Sequence, residues 1–271
     1  MLGKLIKYDF KALNRFLLII HGFLLISVVL GRIFLTGRID FDSIELNQTL
    51  LAVSFTLYFL IFTAASFGTY IIIAIRFYKN LYSDEGYLSH TLPVTRGQHM
   101  LSKIITGSIW SVIDIALIVL SGYILIATPY VTHSFQENKA AFLNELGFTT
   151  TDNFHQFLLY MAFISIIGAI SSVITIIASI IIGQLFGSHR ILGAVVSYFG
   201  ISTVISAITT IIFGVSGILT DAIATADTKG MFNFYEYMMK VINISVILTV
   251  ITAVVLYIIS YLIFKKKLNL N

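Results

Sequence analysis

Few residues of this 271-residue chain are equipped for chemistry, and their surroundings decide which chemistry to consider. Cysteine is absent, which removes thiol catalysis, disulfides and thiolate metal ligation. No H-E-x-x-H, G-x-S-x-G or G-x-x-x-x-G-K-[ST] run occurs, so the local signatures of a metalloprotease, a serine hydrolase and a phosphate-binding loop are missing. No catalytic residue is expected. Asp114 is the only acid well inside an apolar run. An ionisable group at such a depth is costly and is a functional candidate by default. The structural alternative is a protonated carboxyl, or one bonded to a hydroxyl such as that of Ser111, one turn earlier. His21 stands in another apolar run with no second histidine or carboxylate at ligand spacing, so neither haem nor metal is expected there.

The second feature is a polar island, "SDEGYLSHTLPVTRGQ" at 83–98, between two apolar runs. Ser83 can cap a helix, and Asp84 and Glu85 in its first turn suit the positive end of the helix dipole. Pro93 interrupts the pattern, because the residue before a proline avoids helical geometry. Thr95 and Gln98 have capping-box spacing and mark the start of the next helix. The spacing predicts a short helix whose apolar side carries Tyr87, Leu88 and Leu92 and needs something to dock on. A solvated loop that only connects spans is the plain alternative.

The elements that hold these residues follow from composition. With 58% hydrophobic and only 11% charged side chains, a soluble domain of this length could not cover its surface. Six apolar stretches, 16–36, 50–75, 101–127, 156–184, 192–220 and 241–264, are long enough to cross a hydrocarbon core of ~30 Å. The expected fold is an all-α polytopic membrane domain over 1–271, with outer segments at 128–155 and 221–240. Short alternating segments, the mark of an outer-membrane barrel, are absent. The first stretch outruns a signal-peptide h-region and is read as an uncleaved span. Before it, Leu2, Leu5, Ile6, Phe10 and Leu13 alternate with Lys4, Lys7 and Lys11, which predicts an interfacial amphipathic helix over 1–15 or, more simply, a basic anchor.

Twelve of the 17 basic residues, including Lys4, Arg76, Lys103, Arg190 and Lys267, fall on one side of these spans; Arg32, Arg38, Lys139, Lys229 and Lys240 fall on or near the other. The excess places both termini and residues 78–100 in the cytoplasm of a multi-pass protein of the cell membrane. Most acids, among them Asp40, Asp42, Asp221 and Asp227, lie opposite. The pI of 9.1 is thereby a matter of topology, and no nucleic-acid partner is expected. Arg32, near the outer end of the first span, reads as a snorkelling anchor.

Three further patterns stand out. Span four carries Ala162, Ser165, Ala169, Ser172, Ser179 and Gly183 on one face, a seam for close helix approach or a dimer or substrate-facing surface. In span two, Thr56, Thr63 and Tyr70 form a polar line opposite Phe55, Tyr58, Phe59 and Phe62; with Asp114 they are the candidate translocation path, although lipid contact and hydroxyl-to-carbonyl bonding also explain them. The turn "GQLFGSHRILG" offers Phe186, His189 and Arg190 on the cytoplasmic side, either as a contact surface or as a tight turn whose arginine sets topology. No internal repeat and no series of intramembrane carboxylates is seen, which weighs against a two-half secondary transporter with a proton relay.

The run "FYKNLYSDEGYLSHTLPVTRGQHMLSK" resembles the cytoplasmic segment of small membrane subunits of type-two ABC exporters, particularly Gram-positive ones, which often carry a similar D-E-G-Y-L-x-x-x-L-P-V run after the second span. The resemblance covers about 25 residues in detail and the rest of the chain in architecture alone. It implies that Asp84, Glu85, Gly86, Tyr87, Leu88, Leu92 and Pro93 form a coupling helix docking on a separate cytoplasmic ATPase, with Phe186, His189 and Arg190 as a smaller second contact. ATP and magnesium would belong to that partner, and this chain would hold no cofactor. The resemblance further implies a second membrane subunit, identical or homologous, and a hydrophobic or amphipathic cargo: peptide, drug or lipid. Rival expectations are an ATP-independent channel or secondary carrier, and a non-transporting scaffold or sensor.

Overall fold

The computed structural model describes residues 1–35, 44–148, 150–187, 189–218, 220 and 234–266. Expectations that rest on Arg38, Asp40, Asp42, Asp221, Asp227, Lys229 and Lys267, and on 221–233 of the second outer segment, lie outside the described residues. Among the described residues the structure is helical and without strands: α1 (Leu2–Leu35), α2 (Ile44–Tyr82), α3 (Asp84–Thr91), α4 (Arg96–Ile126), α5 (Pro129–Glu145), α6 (Thr151–Gly183), α7 (Arg190–Val215) and α8 (Phe234–Lys266). Six of them, α1, α2, α4, α6, α7 and α8, are long and apolar enough to cross a bilayer. The chain is an all-α, multi-pass membrane protein.

The helices overrun the hydrophobic stretches that predict them. α1 has 34 residues, a rise of about 51 Å against a hydrocarbon core of roughly 30 Å. No separate helix precedes the first span: residues 2–15 are its opening turns. The segment from Lys4 to His21 contains neither glycine nor proline, so nothing in it stops a helix once begun.

The chain divides into two compact units, Met1–Glu137 and Asn138–Asn269. In the first, α1 packs on α2 and α4, and α2 also contacts α4 and carries α3. The buried face of α1 is Asp9, Leu13, Leu17, His21, Leu24 and Val28, a spacing of threes and fours that turns one stripe inward. Lipid is as apolar as leucine, so close packing and interhelical hydrogen bonds must hold such a stripe against its neighbours. That raises the weight of the two polar residues on it.

In the second unit α6 packs on α7 and α8, and α7 touches α8. At one end of this unit Phe148 meets Phe154, Phe157 and Tyr235 at ring-centroid distances of 5.2, 5.4 and 5.0 Å. The small-residue face of α6 is buried only in part. Ala169, Ser179 and Gly183 are buried, Ala162 is exposed, and Ser165 and Ser172 are intermediate. The seam is therefore local to the end of α6 that turns into α7.

Candidate functional site

The polar island folds as a short helix between two spans. Ser83 has extended backbone at the N-cap position of α3, but its side chain makes no cap bond. Instead Ser83 Oγ donates to the Lys79 carbonyl at 2.6 Å. Only Ser83 separates α2 from α3, so its hydroxyl serves a carbonyl left open at the end of α2, and the expected capping role is not filled. Leu92, before Pro93, is extended at φ −66° and ψ 142° and closes the helix as proline chemistry requires. The next start is a full capping box: Thr95 Oγ1 accepts from the Gln98 amide at 3.3 Å, and the Thr95 amide donates to Gln98 Oε1 at 3.0 Å.

Within these limits α3 has two faces. Gly86 and Ser89 are buried against the protein. Leu88 is 75% exposed, Tyr87 54% and Leu92 47%, with exposed Asp84 and Pro93 alongside. Glu85 is tied inward by Arg76 of α2, whose Nη1 donates to Glu85 Oε2 at 2.9 Å. Three large apolar side chains thus project from a helix at the end of the spans, on the side where α1 begins. Among the described residues nothing covers this face of α3, which is open to a partner.

The α6–α7 turn brings Phe186, His189 and Arg190 to one tight corner. Phe186 and His189 are exposed, and Arg190 Nε donates to the Gly187 carbonyl at 3.2 Å. Gly187 adopts φ +57°, a left-handed conformation that glycine tolerates best. A Cβ on Gly183 would lie 2.4 Å from the Ala194 nitrogen, and one on Gly193 would lie 2.8 Å from the Gly183 carbonyl. The glycines are there because the two helices meet backbone to backbone.

Inside the membrane, residues distant in sequence are joined. His21 Nε2 lies 2.8 Å from Asp114 Oδ1, and Thr69 Oγ1 donates to the same oxygen at 3.2 Å. These bonds link α1, α4 and α2, and all three residues are buried. His21 Nδ1 lies 2.7 Å from the Leu17 carbonyl, which can only accept, so Nδ1 carries a proton. The short contact at Nε2 then holds one proton between nitrogen and oxygen. Whether that proton sits on imidazole or carboxyl, the pair is neutral overall, which is the least costly state for two ionisable groups in hydrocarbon. Trp110 stacks on His21 at 6.1 Å and Phe10 on Trp110 at 5.1 Å, closing one side with aromatic rings.

Several expectations change here. His21 is not isolated; its carboxylate partner comes from another helix. Ser111 does not satisfy Asp114, and among the described residues its buried hydroxyl has no partner. Thr56 and Thr63 donate to the carbonyls of Ala52 and Phe59, each at 2.8 Å, within their own helix, and Tyr70 is half-buried. None of these three hydrogen-bonds Asp114, whose partners are His21 and Thr69. Arg32 turns back into the protein, donating to the Ala127 carbonyl at the end of α4 at 2.8 Å, in place of snorkelling alone.

A second buried pair escaped the sequence reading altogether. Asp9, near the start of α1, accepts from Lys103 Nζ and from Ser102 Oγ, the latter at 2.6 Å. Asp9 was legible in principle, because it precedes Leu13, Leu17 and His21 at the same four-residue interval. An acid in register with an apolar stripe must be buried or must break the stripe. Asp9, Arg76 and Lys103 line one small cleft, so the Arg76–Glu85 link to α3 borders this buried pair. Among the described residues no three His, Asp or Glu side chains gather as a metal site. No protein-family model, curated protein or solved structure matches the chain, so what it does has to be argued from these two arrangements, an open helix at the end of the spans and a closed polar cluster between them.

Proposed function

We propose that this chain is the membrane permease subunit of an ATP-driven exporter of the type-two ABC kind, working with a separate cytoplasmic ATPase. The observation that carries the reading is α3: a short helix with three exposed apolar side chains, clamped between two spans on the side of the amino terminus. A face of that composition at the end of rigid helices suits the transmission of force from a soluble partner. ATP and magnesium are bound by that partner; the membrane unit is completed by a second subunit, identical or homologous. In this reading both termini lie in the cytoplasm, the opening turns of α1 rest in the cytoplasmic interface, and the α6–α7 turn makes the smaller second contact. Cargo is hydrophobic or amphipathic.

The test is affinity co-purification of the tagged protein from its native membrane, wild type against Leu88→Asp, at equal expression and insertion. Leu88 is the better probe than Glu85, because a change at Glu85 also releases Arg76 and shifts α3 itself. Recovery of a Walker-type ATPase with wild type and its loss in the variant is the expected result. Absence of any ATPase under conditions that preserve membrane complexes would sink the exporter reading. Transport that persists without an ATPase would then mark a channel or secondary carrier, and no transport a scaffold.

A further inference from the structure

We propose that the outward face of the first four turns of α1 binds the headgroups of anionic phospholipids, with Arg15 and Lys11 as the residues that hold phosphate. Lys4, Lys7, Lys11 and Arg15 are all exposed. Their spacing of three and four gathers them within an arc of about 80° on the helix surface. The far side carries buried Asp9 and Leu13, and Asp9 is already taken by Lys103 and Ser102. Among the described residues no acid pairs with any of the four cations. Four unpaired like charges on one stripe repel a second copy of that stripe and attract an anion.

What the stripe continues into fixes the kind of anion. Past Arg15 the same side of α1 presents Leu18, Ile19, Gly22, Ile26 and Val29. The four apolar side chains are exposed, and a Cβ on Gly22 would meet nothing within 4 Å. From Leu18 to Val29 the helix rises about 16 Å, the depth of one leaflet in a hydrocarbon core of roughly 30 Å. One face of one helix is thus cationic and then apolar, in the order in which a phospholipid is anionic and then apolar. A soluble acidic protein or a nucleic acid would match only the cationic half.

Height ranks the four cations. When Phe16 to Leu35 fill about 30 Å of hydrocarbon, Arg15 stands at its edge, with Lys11 about 6 Å, Lys7 about 12 Å and Lys4 about 16 Å further out. The headgroup layer is only about 5–7 Å deep on each side. Arg15 and Lys11 therefore reach phosphate directly, Arg15 with a planar fork that suits two of its oxygens. Lys7 and Lys4 act through the surface potential of the lipid, which fades over about 8–10 Å.

The absence of cysteine makes the test local. A Gly22→Cys variant of the full chain takes a fluorophore in the middle of the stripe, and Val204→Cys takes it at an exposed position of α7. Both are reconstituted at low salt in phosphatidylcholine vesicles, part of whose lipid is brominated phosphatidylcholine or brominated phosphatidylglycerol, and the ratio of quenching constants gives the preference. At position 22 phosphatidylglycerol should be favoured by about five-fold or more, the factor that one cation at an anionic surface supplies. Adding Arg15→Gln and Lys11→Gln together should bring the ratio close to one. Lys4→Gln with Lys7→Gln should leave most of the preference, and Arg15→Lys, which keeps the charge, should retain it. At position 204 none of these changes should alter the ratio, and unchanged quenching there by brominated phosphatidylcholine shows that each variant inserts as the parent does. A ratio near one in the parent, or a preference that survives Arg15→Gln with Lys11→Gln, would overturn the proposal. Equal losses from the two double variants would also overturn it, by marking a diffuse field without a site. So would displacement by inorganic phosphate beyond that by chloride at equal ionic strength, which would make free phosphate the ligand.

Discussion

The cluster at His21, Asp114 and Thr69 and the helix α3 invert the polarity of their surroundings in opposite ways. In the membrane, polar groups close on one another: the proton on Nδ1 has its carbonyl, and Nε2 and Thr69 Oγ1 meet one carboxyl oxygen. At the end of the spans, apolar groups are left open: Leu88 is more exposed than Arg76, the partner of Glu85, and nothing among the described residues covers it. A closed arrangement needs no further component, because its desolvated groups are already bonded. An open apolar face wants one. The contrast separates what holds α1, α2 and α4 together from what awaits a partner.

The contrast breaks first at the closed cluster. Asp114→Ala or His21→Ala strands a buried polar partner, and either should lower stability by about 3–5 kcal/mol. The double variant His21→Leu, Asp114→Leu should recover most of that loss, since an apolar pair of similar volume leaves only the Thr69 hydroxyl to turn to a carbonyl of its own helix. Thermal unfolding in detergent, read as a double-mutant cycle, measures the coupling. If the double variant melts normally but transport is lost, the pair has a role beyond holding three helices.

A smaller effect is expected where the two regions meet. Thr95→Ala removes half of the capping box that starts α4 and bounds the island, at a cost of about 1 kcal/mol. The same unfolding assay should register it, with faster amide exchange over Arg96 to His99. The smallest belongs to the exposed link between α2 and α3. Glu85→Gln breaks the Arg76 pair, whose side chains are partly in solvent, and should change stability by about 0–1 kcal/mol, less in high salt. If Glu85→Gln weakens ATPase capture as much as Leu88→Asp does, the position of α3 matters as much as its apolar face.

The legibility of these features followed from how local their physics is. The six spans, the stop at Pro93 and the box at Thr95 could be read directly, because length, hydropathy, the proline ring and a three-residue hydroxyl-to-amide reach are settled within one turn or one run of chain. Ser83 was misread for a local reason too: the cap pattern fits, but the nearby end of α2 competes for the same hydroxyl. Lys103 looked like a topology marker and Asp9 drew no reading, since each becomes half of a pair only across α1 and α4.

By itself, the sequence determined that the chain is helical and crosses a membrane, and where the polar island begins and ends. Only the tertiary structure decided that His21 and Asp114, 93 residues apart, meet, and that Thr69 donates to the same carboxyl oxygen. It alone also decided that Arg32 closes the end of α4. The division has one cause. Helix formation and membrane burial depend on neighbours along the chain, whereas the partner of a buried charge depends on which helix faces it, and no local spacing encodes that.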